Sequence, residues 1–472
     1  MSDIISQDIL FIPEIAGLDA RFSILRIPPE LDVPLTSRVR RIIDSRPFRR
    51  LSKISQLGFV RLVYPGATHT RFEHSLGVYR LALLILKRLA YDSRFTSLVS
   101  PQQAELLILS ALLHDIGHFP FCHLFEDLQT TKTFTHEKLA EEYICGQLSD
   151  IIREDWHIAP QHVCDIILKR IPKQMLGESE EAYARRKKSF RLLSSILSGP
   201  IDVDKMDYLM RDSHGAGVPY GKNYDIERLV GSICLNENGD GIAISNKGKT
   251  ATELMVFARY IMFSEVYWHH TARSATVMFQ RSLYNIGSKV GFLDLAKAML
   301  ECPEEQVYCM LSQLSTNNEQ PFSENNNSLN LLSRLFGNER KLFKRLREFA
   351  AMEEPVLYEQ IAGKSSEFVK NLSDKLASEL GLETDELLID SPPVDKEVEF
   401  KIDVFFPQEK KYRPLSEVSP VIQALAKEQF DKFVKKVRIF IAPERIDEIR
   451  ERTQSFDELL QKTLNVVSPQ KP

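Results

Sequence analysis

The segment LLHDIGHFPFCHLFED, residues 112–127, concentrates imidazoles and carboxylates directly behind the apolar run AELLILSALL. It holds His114, His118 and His123, three of the 11 histidines in the chain. A single buried histidine at a helix end is ordinarily a packed side chain that caps carbonyl groups. Here His114 is followed by Asp115 at the end of a run that should be buried, where an unpaired carboxylate is costly. A divalent cation would compensate that charge and accepts both imidazole nitrogen and carboxylate oxygen as ligands.

Two further segments offer partners for such a cation. HTRFEHSLGV brings His69 and His74 to the start of an apolar helical pattern. PIDVDKMDYLMRDSHGAG carries four aspartates, Asp202, Asp204, Asp207 and Asp212. Asp204 and Tyr208 are one helical turn apart, so one side of a helix can present an acid and an aromatic ring. Lys205 adds a cation beside them.

The elements that must position these residues are predicted to be helices. Apolar residues recur at helical spacing in SLGVYRLALLILKRLA and in PQQAELLILSALLHD, and the second helix must stop near Gly117 and Pro120. Two short helices are predicted within residues 36–57, around Pro47, from alternating apolar and basic residues. Further helices are predicted at about 136–150, 159–171 and 179–198.

Strand patterns are sparse and concentrate late in the chain. GDGIAISNKGK predicts part of a hairpin, and EVEFKIDVFF and KVRIFIAPE alternate as strands do. The polar, Asn-rich segment 315–330 predicts a linker. We therefore predict a mainly α fold with small β additions: a helical domain over 1–314, the linker at 315–330, and a mixed α+β region over 331–472.

Composition narrows the class of protein. A net charge of −4 over 472 residues argues against a surface built to coat nucleic acid or an anionic membrane, although local basic patches leave nucleic acid open as a partner. The N-terminus lacks the pattern of a signal peptide, and no stretch has the length of apolar sequence that a membrane helix needs. The six cysteines form no C-x-x-C pair, which argues against a disulfide framework or zinc knuckle. We expect a soluble cytoplasmic protein.

The order of the motifs resembles a known family. His74, the pair His114–Asp115, and Asp204 follow the H…HD…D order of the HD-domain metal phosphohydrolases. The phrases HTRFEHSLGV, LLHDIGHFPFCHLFED, THE at 135–137 and IDVDKMDYLMRD, over about residues 40–215, resemble its deoxynucleoside triphosphate triphosphohydrolase branch, as does KVRIFIAP near the C-terminus. The resemblance implies an HD-domain helical core within 1–314 and an oligomerisation or regulatory role for 331–472.

The resemblance also implies roles for individual residues. The metal ligands would be His74, His114, Asp115 and Asp204. This set of nitrogen and oxygen donors suits manganese, iron, magnesium or nickel better than a structural zinc ion. The residues that contact the α-phosphate and assist proton transfer would be His118, His123 and His136, with Glu126, where relatives carry aspartate, orienting a histidine.

Substrate contacts follow in the same way. Arg71 and Lys205 match phosphate-binding positions. The residues near the sugar would be Gln56, Leu57 and Asp212, and Tyr208 would crowd the 2′ position and favour deoxyribose. The implied reaction is hydrolysis of dNTPs, dGTP among them, to deoxynucleoside and inorganic triphosphate.

The chain departs from the family at positions linked to activation and to the terminal phosphate. Asp44 matches a residue that reads an activating guanine nucleotide, but Arg49 and Ser52 replace the other two. Val266 stands where an arginine is expected to contact the triphosphate. The resemblance implies a homo-oligomer, dimer or tetramer, and because of these departures we expect it to form without dGTP. Its activity should need no activator or should respond to several nucleotides alike, through basic residues that include Arg38, Arg40, Arg41, Arg46, Arg49, Arg50 and Lys53.

Two other interpretations stay open at this point. An HD hydrolase acting on nucleoside monophosphates, cyclic dinucleotides or an alarmone would keep the four ligands without needing Gln56, Tyr208 and Asp212. A nucleotide sensor or nucleic-acid-binding module with vestigial catalysis would not need the accessory histidines at all.

Overall fold

Helices dominate the computed structural model, which describes residues 9–19, 23–128, 135–316, 327–394, 401–427, 433–452 and 456–467. This confirms the prediction of a mainly α fold. The helices up to residue 216 are α1 (Pro13–Ala16), α2 (Ser37–Ile43), α3 (Arg46–Arg49), α4 (Arg71–Leu89), α5 (Ser93–Thr96), α6 (Pro101–Leu113), α7 (Cys122–Glu126), α8 (His136–Glu142), α9 (Ser149–Trp156), α10 (Pro160–Ile167), α11 (Glu180–Leu197) and α12 (Val203–Ala216). None of the described helices is both long enough and apolar enough to span a bilayer.

Among these helices, α4 packs against both α6 and α12, and the motif residues lie on α4 and α12 and directly after α6. The ends of α6 and α12 are defined by local caps. Ser100 and Gln103 form a capping box at the start of α6, which ends at Leu113, so His114 and Asp115 follow directly. Asp202 caps α12 by accepting a hydrogen bond from the backbone of Lys205 at 2.7 Å. The cap at Asp202 therefore places Asp204 in the first turn of α12, and His114 and Asp115 follow the last turn of α6.

Two predicted helices differ from the structure. The segment predicted as one helix over 136–150 is α8, then a π-helical turn at Tyr143–Gln147, then α9. Apolar periodicity does not reveal the extra residue that a π turn inserts. The helix predicted over 159–171 ends at Ile167, because Lys169 adopts a left-handed backbone conformation.

The second half of the chain alternates helices with short strands. Its helices are α13 (Ile226–Ser232), α14 (Lys249–Ile261), α15 (His270–Val290), α16 (Phe292–Glu301), α17 (Val307–Thr316), α18 (Asn327–Phe336), α19 (Pro355–Ile361), α20 (Ser366–Glu379), α21 (Leu415–Val418), α22 (Pro420–Lys427), α23 (Ile446–Arg452) and α24 (Phe456–Val467). The described strands are β1 (Ile24–Ile27), β2 (Leu31–Pro34), β3 (Ile233–Leu235), β4 (Ile242–Ser245), β5 (Lys344–Ala350), β6 (Leu387–Asp390), β7 (Asp403–Phe406), β8 (Lys411–Pro414) and β9 (Lys436–Ile441).

The strands form three small sheets. β1 pairs with β2, the second sheet has the order β3-β4-β7-β8, and the third has the order β5-β9-β6. β3 and β4 form the predicted hairpin, and β9 is the strand predicted from KVRIFIAPE. Of EVEFKIDVFF, residues 403–406 form β7, whereas 397–400 lie outside the described residues. β7 lies parallel to β4, so a late segment completes a sheet begun in the first half.

The predicted boundary at 315–330 lies between helices that share a core. α17 and α18 enter this segment from either side, and residues 317–326 are outside the described part of the chain. Leu331 and Leu332 of α18 belong to the same buried hydrophobic cluster as Phe279 of α15. The division into two domains stays a prediction.

A buried ion pair joins the long helix α15 to β6. The Arg273 guanidinium donates to Asp390 at 3.0 Å, and the aspartate side chain is almost completely buried. We predict that Asp390→Ala lowers the free energy of unfolding by about 3–5 kcal/mol, since it leaves a buried guanidinium unpaired. Chemical denaturation followed by circular dichroism measures this change.

The exposed pair Arg26–Asp32 supplies the control, because Asp32→Ala should leave the free energy of unfolding nearly unchanged. The double replacement Arg273→Met with Asp390→Leu should recover most of the loss. Equal losses for Asp390→Ala and Asp32→Ala would show that the buried pair does not tie the two elements together.

Candidate functional site

Three of the four predicted metal ligands form one compact group. His74 on α4, His114 after α6 and Asp204 on α12 place their ligand atoms within 4.8 Å of one another. His74 Nε2 lies 3.1 Å from Asp204 Oδ1 and 3.2 Å from His114 Nε2. Such a group of two imidazoles and a carboxylate suits a divalent cation.

The partners of the two imidazoles define which nitrogen faces this group. His74 Nδ1 lies 2.8 Å from Asp207 Oδ2, and His114 Nδ1 lies 2.9 Å from the Ala111 carbonyl. Both partners are acceptors, so each Nδ1 carries a hydrogen and each Nε2 can present a lone pair. Two lone pairs at 3.2 Å need a positive charge between them, and a metal cation fits that requirement.

The charge around His74 favours a cation as well. Burial alone would lower the pKa of His74, but hydrogen bonds to Asp204 and Asp207 raise it to about 10. The negative potential that favours a proton on this imidazole also favours a metal ion.

Asp207 is itself fixed by Arg211 in the next turn of α12. The Arg211 guanidinium donates two hydrogen bonds of 2.8 Å to the Asp207 carboxylate. Gly77 makes room for this pair, because a Cβ at position 77 would lie 1.8 Å from Asp207 Oδ1. Sequence reasoning placed Asp207 beside Asp204 but did not identify it as the residue that orients His74.

Asp115, the fourth predicted ligand, borders the group. Its Oδ1 lies 3.5 Å from His114 Nε2, and its Oδ2 accepts a hydrogen bond from Arg71 at 2.7 Å. Burial would raise the pKa of Asp115, but His118, Arg71 and the ligand imidazoles hold it well below its usual range. Asp115 is therefore an anion next to both histidine groups.

The three accessory histidines form a second group. His118 Nε2 lies 3.3 Å from His123 Nε2, and the rings of His118 and His136 are 4.3 Å apart. Glu126 links two of them, with oxygens 2.8 Å from His136 Nδ1 and 3.3 Å from His123 Nδ1. Gly117 allows α8 to pack closely at this position, because a Cβ on residue 117 would lie 1.9 Å from the His136 carbonyl oxygen.

The pKa values of this second group diverge. Burial and the Arg71 charge hold the pKa of His118 well below its ordinary value. Burial would also lower the pKa of His136, but the hydrogen bond to Glu126 and its charge raise it. Burial would raise the pKa of Glu126, yet hydrogen bonds with His123 and His136 hold it far below its ordinary value. The group thus pairs a neutral imidazole with one that favours its protonated form.

Both histidine groups line one cavity of about 1010 Å³. This volume lies at the upper end of the roughly 300–1,000 Å³ of ligand sites. Four of the predicted substrate residues also line it: Gln56, Arg71, Lys205 and Tyr208. Among the described residues, the buried atoms Gln56 Oε1 and Arg71 Nε have no hydrogen-bond partner. An acceptor and a donor are therefore left for a ligand.

Other predicted substrate residues are placed differently. Lys205 donates to Asp202 at 2.5 Å and to the Gly199 carbonyl at 3.0 Å. Leu57 packs against the main hydrophobic cluster and is not among the cavity-lining residues. Asp212 also lies outside the lining and accepts hydrogen bonds from Tyr267 at 2.6 Å and His69 at 2.8 Å.

Sequence reasoning missed Tyr267 as a residue of the site. Its ring lines the cavity and lies 6.3 Å from that of Tyr208, edge to face. Tyr267 ends a π-helical turn, Met262–Tyr267, and its neighbour Val266 is fully buried in the core. The phrase MFSEVYWHHTAR contained this tyrosine, but no periodic pattern indicates the π turn that directs it into the cavity.

The metal assignment leads to a prediction. Asp204→Ala should abolish metal retention, because it removes a ligand. Asp207→Asn should lower metal affinity by about 10- to 100-fold, because it weakens the hold on His74. Elemental analysis of desalted protein, with circular dichroism to monitor folding, measures both. Asp150, exposed on α9, provides the control Asp150→Ala. Full metal occupancy in Asp204→Ala would refute the ligand assignment.

Comparison with known proteins places these motifs in a family. An HD domain model matches residues 71–211, and an HD associated region model matches residues 224–466. The chain is 30% identical to an uncharacterized protein of Methanocaldococcus jannaschii over 425 residues, 89% of this chain and 79% of that protein. A crystal structure of a hypothetical protein from Aquifex aeolicus matches with a TM-score of 0.66 and 26% identity, covering 91% of this chain and 99% of that one.

A curated enzyme is similar over the HD region. The deoxynucleoside triphosphate triphosphohydrolase SAMHD1 of Mus musculus is 32% identical over 205 residues, 40% of this chain and 31% of that protein. The two family models, the relatives matched over most of their length and the histidine–aspartate group all indicate the same family. This chain belongs to the HD-domain phosphohydrolase family and carries an HD-associated region after its HD domain.

Proposed function

We propose that this protein uses a divalent metal to hydrolyse deoxynucleoside triphosphates, dGTP among them, to deoxynucleoside and inorganic triphosphate. The observation that carries the proposal is that the ligand group and the accessory histidines line one cavity. Asp115 connects them, with Oδ1 3.5 Å from His114 Nε2 and 3.2 Å from His118 Nδ1. The similarity to mouse SAMHD1 in the HD region supports the same substrate class.

The metal would be held by His74, His114, Asp115 and Asp204. When bound there, a divalent cation polarises a phosphoryl oxygen and lowers the pKa of a bound water. The mixed nitrogen and oxygen donors suit manganese, iron, magnesium or nickel.

The chain's own residues account for the rest of the reaction. Arg71, with its unpartnered Nε, and the neutral His118 bind the α-phosphate. Water attacks the α-phosphorus, the bond to the 5′-oxygen breaks, and an imidazole protonates the leaving oxygen. Because the pKa of His118 is low, the proton comes from His123 or His136, which Glu126 orients.

Recognition of the sugar uses the other side chains of the cavity. The unpartnered Gln56 Oε1 accepts a hydrogen bond from the 3′-hydroxyl. Tyr208 closes the 2′ side, with Tyr267 edge-on to its ring. Asp212 acts through Tyr267, whose hydroxyl it holds at 2.6 Å. A ribose would place its 2′-hydroxyl against Tyr208.

The positions linked to nucleotide activation lie on and beside the early helices. Arg49 and Ser52 line a second cavity of about 290 Å³ with Arg46 and Lys53, whereas Asp44 lines a separate depression. The three positions matched to a guanine-reading site therefore do not share one cavity within the chain. The proposal includes a homo-oligomer, dimer or tetramer, that forms without dGTP and shows weak base selectivity toward any nucleotide effector.

The test of function is direct. Metal-loaded protein is incubated with each of the four dNTPs, singly and mixed, and with GTP, and the products are separated by chromatography. We expect deoxynucleoside and triphosphate, hydrolysis of dCTP or dTTP without added dGTP, and dGTP cleaved far faster than GTP. Release of orthophosphate or pyrophosphate, or activity confined to monophosphates, cyclic dinucleotides or alarmones, would reject the proposal.

Glu126 should control the pH at which activity is lost on the alkaline side. Its charge raises the pKa of His136, so the protonated form persists to higher pH and is lost as pH rises through that pKa. In Glu126→Gln the alkaline limb of the kcat/KM profile should shift to lower pH, with a loss of activity of about 10- to 100-fold. Glu126→Asp keeps the charge and should keep the position of that limb even if its rate falls. An unshifted limb in Glu126→Gln would remove Glu126 from the proton-transfer scheme.

A further inference from the structure

Positive charge is concentrated at the candidate active-site cavity, although the whole chain has a net charge of −4. Six lysines and arginines line the cavity: Arg71, Lys138, Lys169, Arg170, Lys205 and Arg259. Three carboxylates line it: Asp115, Glu137 and Asp204. Two of these carboxylates belong to the predicted metal ligands, so the remaining lining is strongly basic. A cavity of this kind attracts an anion with more than one charge.

Four of these cations have no role assigned above: Lys138, Lys169, Arg170 and Arg259. Arg259 is half-buried and lies over the Phe263 ring, 5.6 Å from its centroid, and the other three form what we call the basic rim. All three are exposed, Lys138 on α8 and the other two just after α10. Arg170 pairs with Glu141 at 2.9 Å. Within the described part of the chain, neither Lys138 nor Lys169 has a carboxylate within 4.0 Å. Their charges are therefore available to a ligand in the cavity.

The backbone at Lys169 is unusual for a lysine. The amide of Arg170 bonds the Asp165 carbonyl at 2.9 Å, and that of Lys169 bonds the Ile166 carbonyl at 3.3 Å. This is the Schellman pattern, in which the residue at the position of Lys169 is left-handed and is usually glycine. Lys169 occupies it with φ +53°, a conformation that a residue with a Cβ rarely adopts. A lysine side chain is thus present at a position where the backbone conformation favours glycine.

Attraction to the negative end of α10 would by itself favour a lysine after this helix. That effect does not account for Lys138, which comes from a different helix and lines the same cavity. The position where an arginine is expected to contact the triphosphate is occupied by Val266, near the end of the π turn at Met262–Tyr267. Val266 is buried in the core and supplies no cation. Apart from the half-buried Arg259, the basic rim is the group of cavity-lining cations that remains for the phosphates beyond the α-phosphate.

We propose that the basic rim, Lys138, Lys169 and Arg170, binds the β- and γ-phosphates of the substrate and thereby selects triphosphates over monophosphates. The inference rests on the proposed function and extends it to the tail of the nucleotide. Lysine supplies a point charge and arginine a planar fork, and both are suited to phosphate oxygens.

Lys169→Gly tests the proposal, because glycine suits the left-handed backbone and the variant should be at least as stable as the native protein. The probes are inorganic triphosphate and orthophosphate, titrated by calorimetry at fixed Mg²⁺ concentration. We expect Lys169→Gly and Lys138→Ala each to weaken triphosphate binding by about threefold to tenfold, with orthophosphate binding nearly unchanged. In the kinetic assay, KM for dNTPs should rise by a similar factor with kcat little changed.

Lys410 provides a matched control. It is also an exposed lysine with φ +53°, and it lies in the β7–β8 turn outside the cavity lining. Lys410→Gly makes the same change in backbone and charge and should leave both affinities unaltered. Native triphosphate affinity in Lys169→Gly, or equal losses in Lys410→Gly, would overturn the proposal. If the native protein binds triphosphate through the rim but cleaves no dNTP, the proposed function fails and the phosphate site stands.

Discussion

The hydrogen bond between Asp207 and His74 is the contact on which the site depends. Both side chains are buried, and the bond joins α12 to α4, two of the three helices that supply the ligand group. A carboxylate in this position is tolerated because Arg211 and His74 share its charge. The bond also decides that Nδ1 of His74 carries the hydrogen, which turns Nε2 toward His114 and Asp204. Packing of the helices and chemistry of the metal group are therefore set by the same contact.

The cavity combines two electrostatic environments in one space. The buried carboxylates Asp115 and Asp204 and the imidazoles around them favour a cation, whereas the exposed lysines and arginines favour an anion. Arg71 connects the two, because its guanidinium is bound to Asp115 and keeps one donor without a partner in the described residues. A metal–phosphate complex satisfies both environments at once, which neither a free cation nor a free phosphate would do.

The parts of the fold that follow from local patterns were predictable. The apolar spacing predicted α4 and α6, although α6 ends at Leu113, a few residues before the stop expected near Gly117. His74 lies on α4, and His114 and Asp115 directly follow α6. The parts that depend on an inserted residue or on distant contacts were not. The π turn that directs Tyr267 into the cavity leaves no periodic signal, and the role of Asp207 appears only when Gly77 of another helix lies against it. The ligand roles and the substrate contacts, including those of Leu57 and Asp212, stay predictions.

The parallel pairing of β4 with β7 bears on how this chain is made in a cell. Ile244 pairs with Val404, so 160 residues separate the two partners, and Val404 belongs to the same hydrophobic cluster as α4 and α6. During synthesis the β3–β4 hairpin emerges long before β7, and it presents an open sheet edge until the late segment arrives. The core around the metal group is thus completed only after most of the chain has left the ribosome. Contacts of such long range slow folding, and nascent chains of this protein should depend on protection of that edge more than a purely helical domain would.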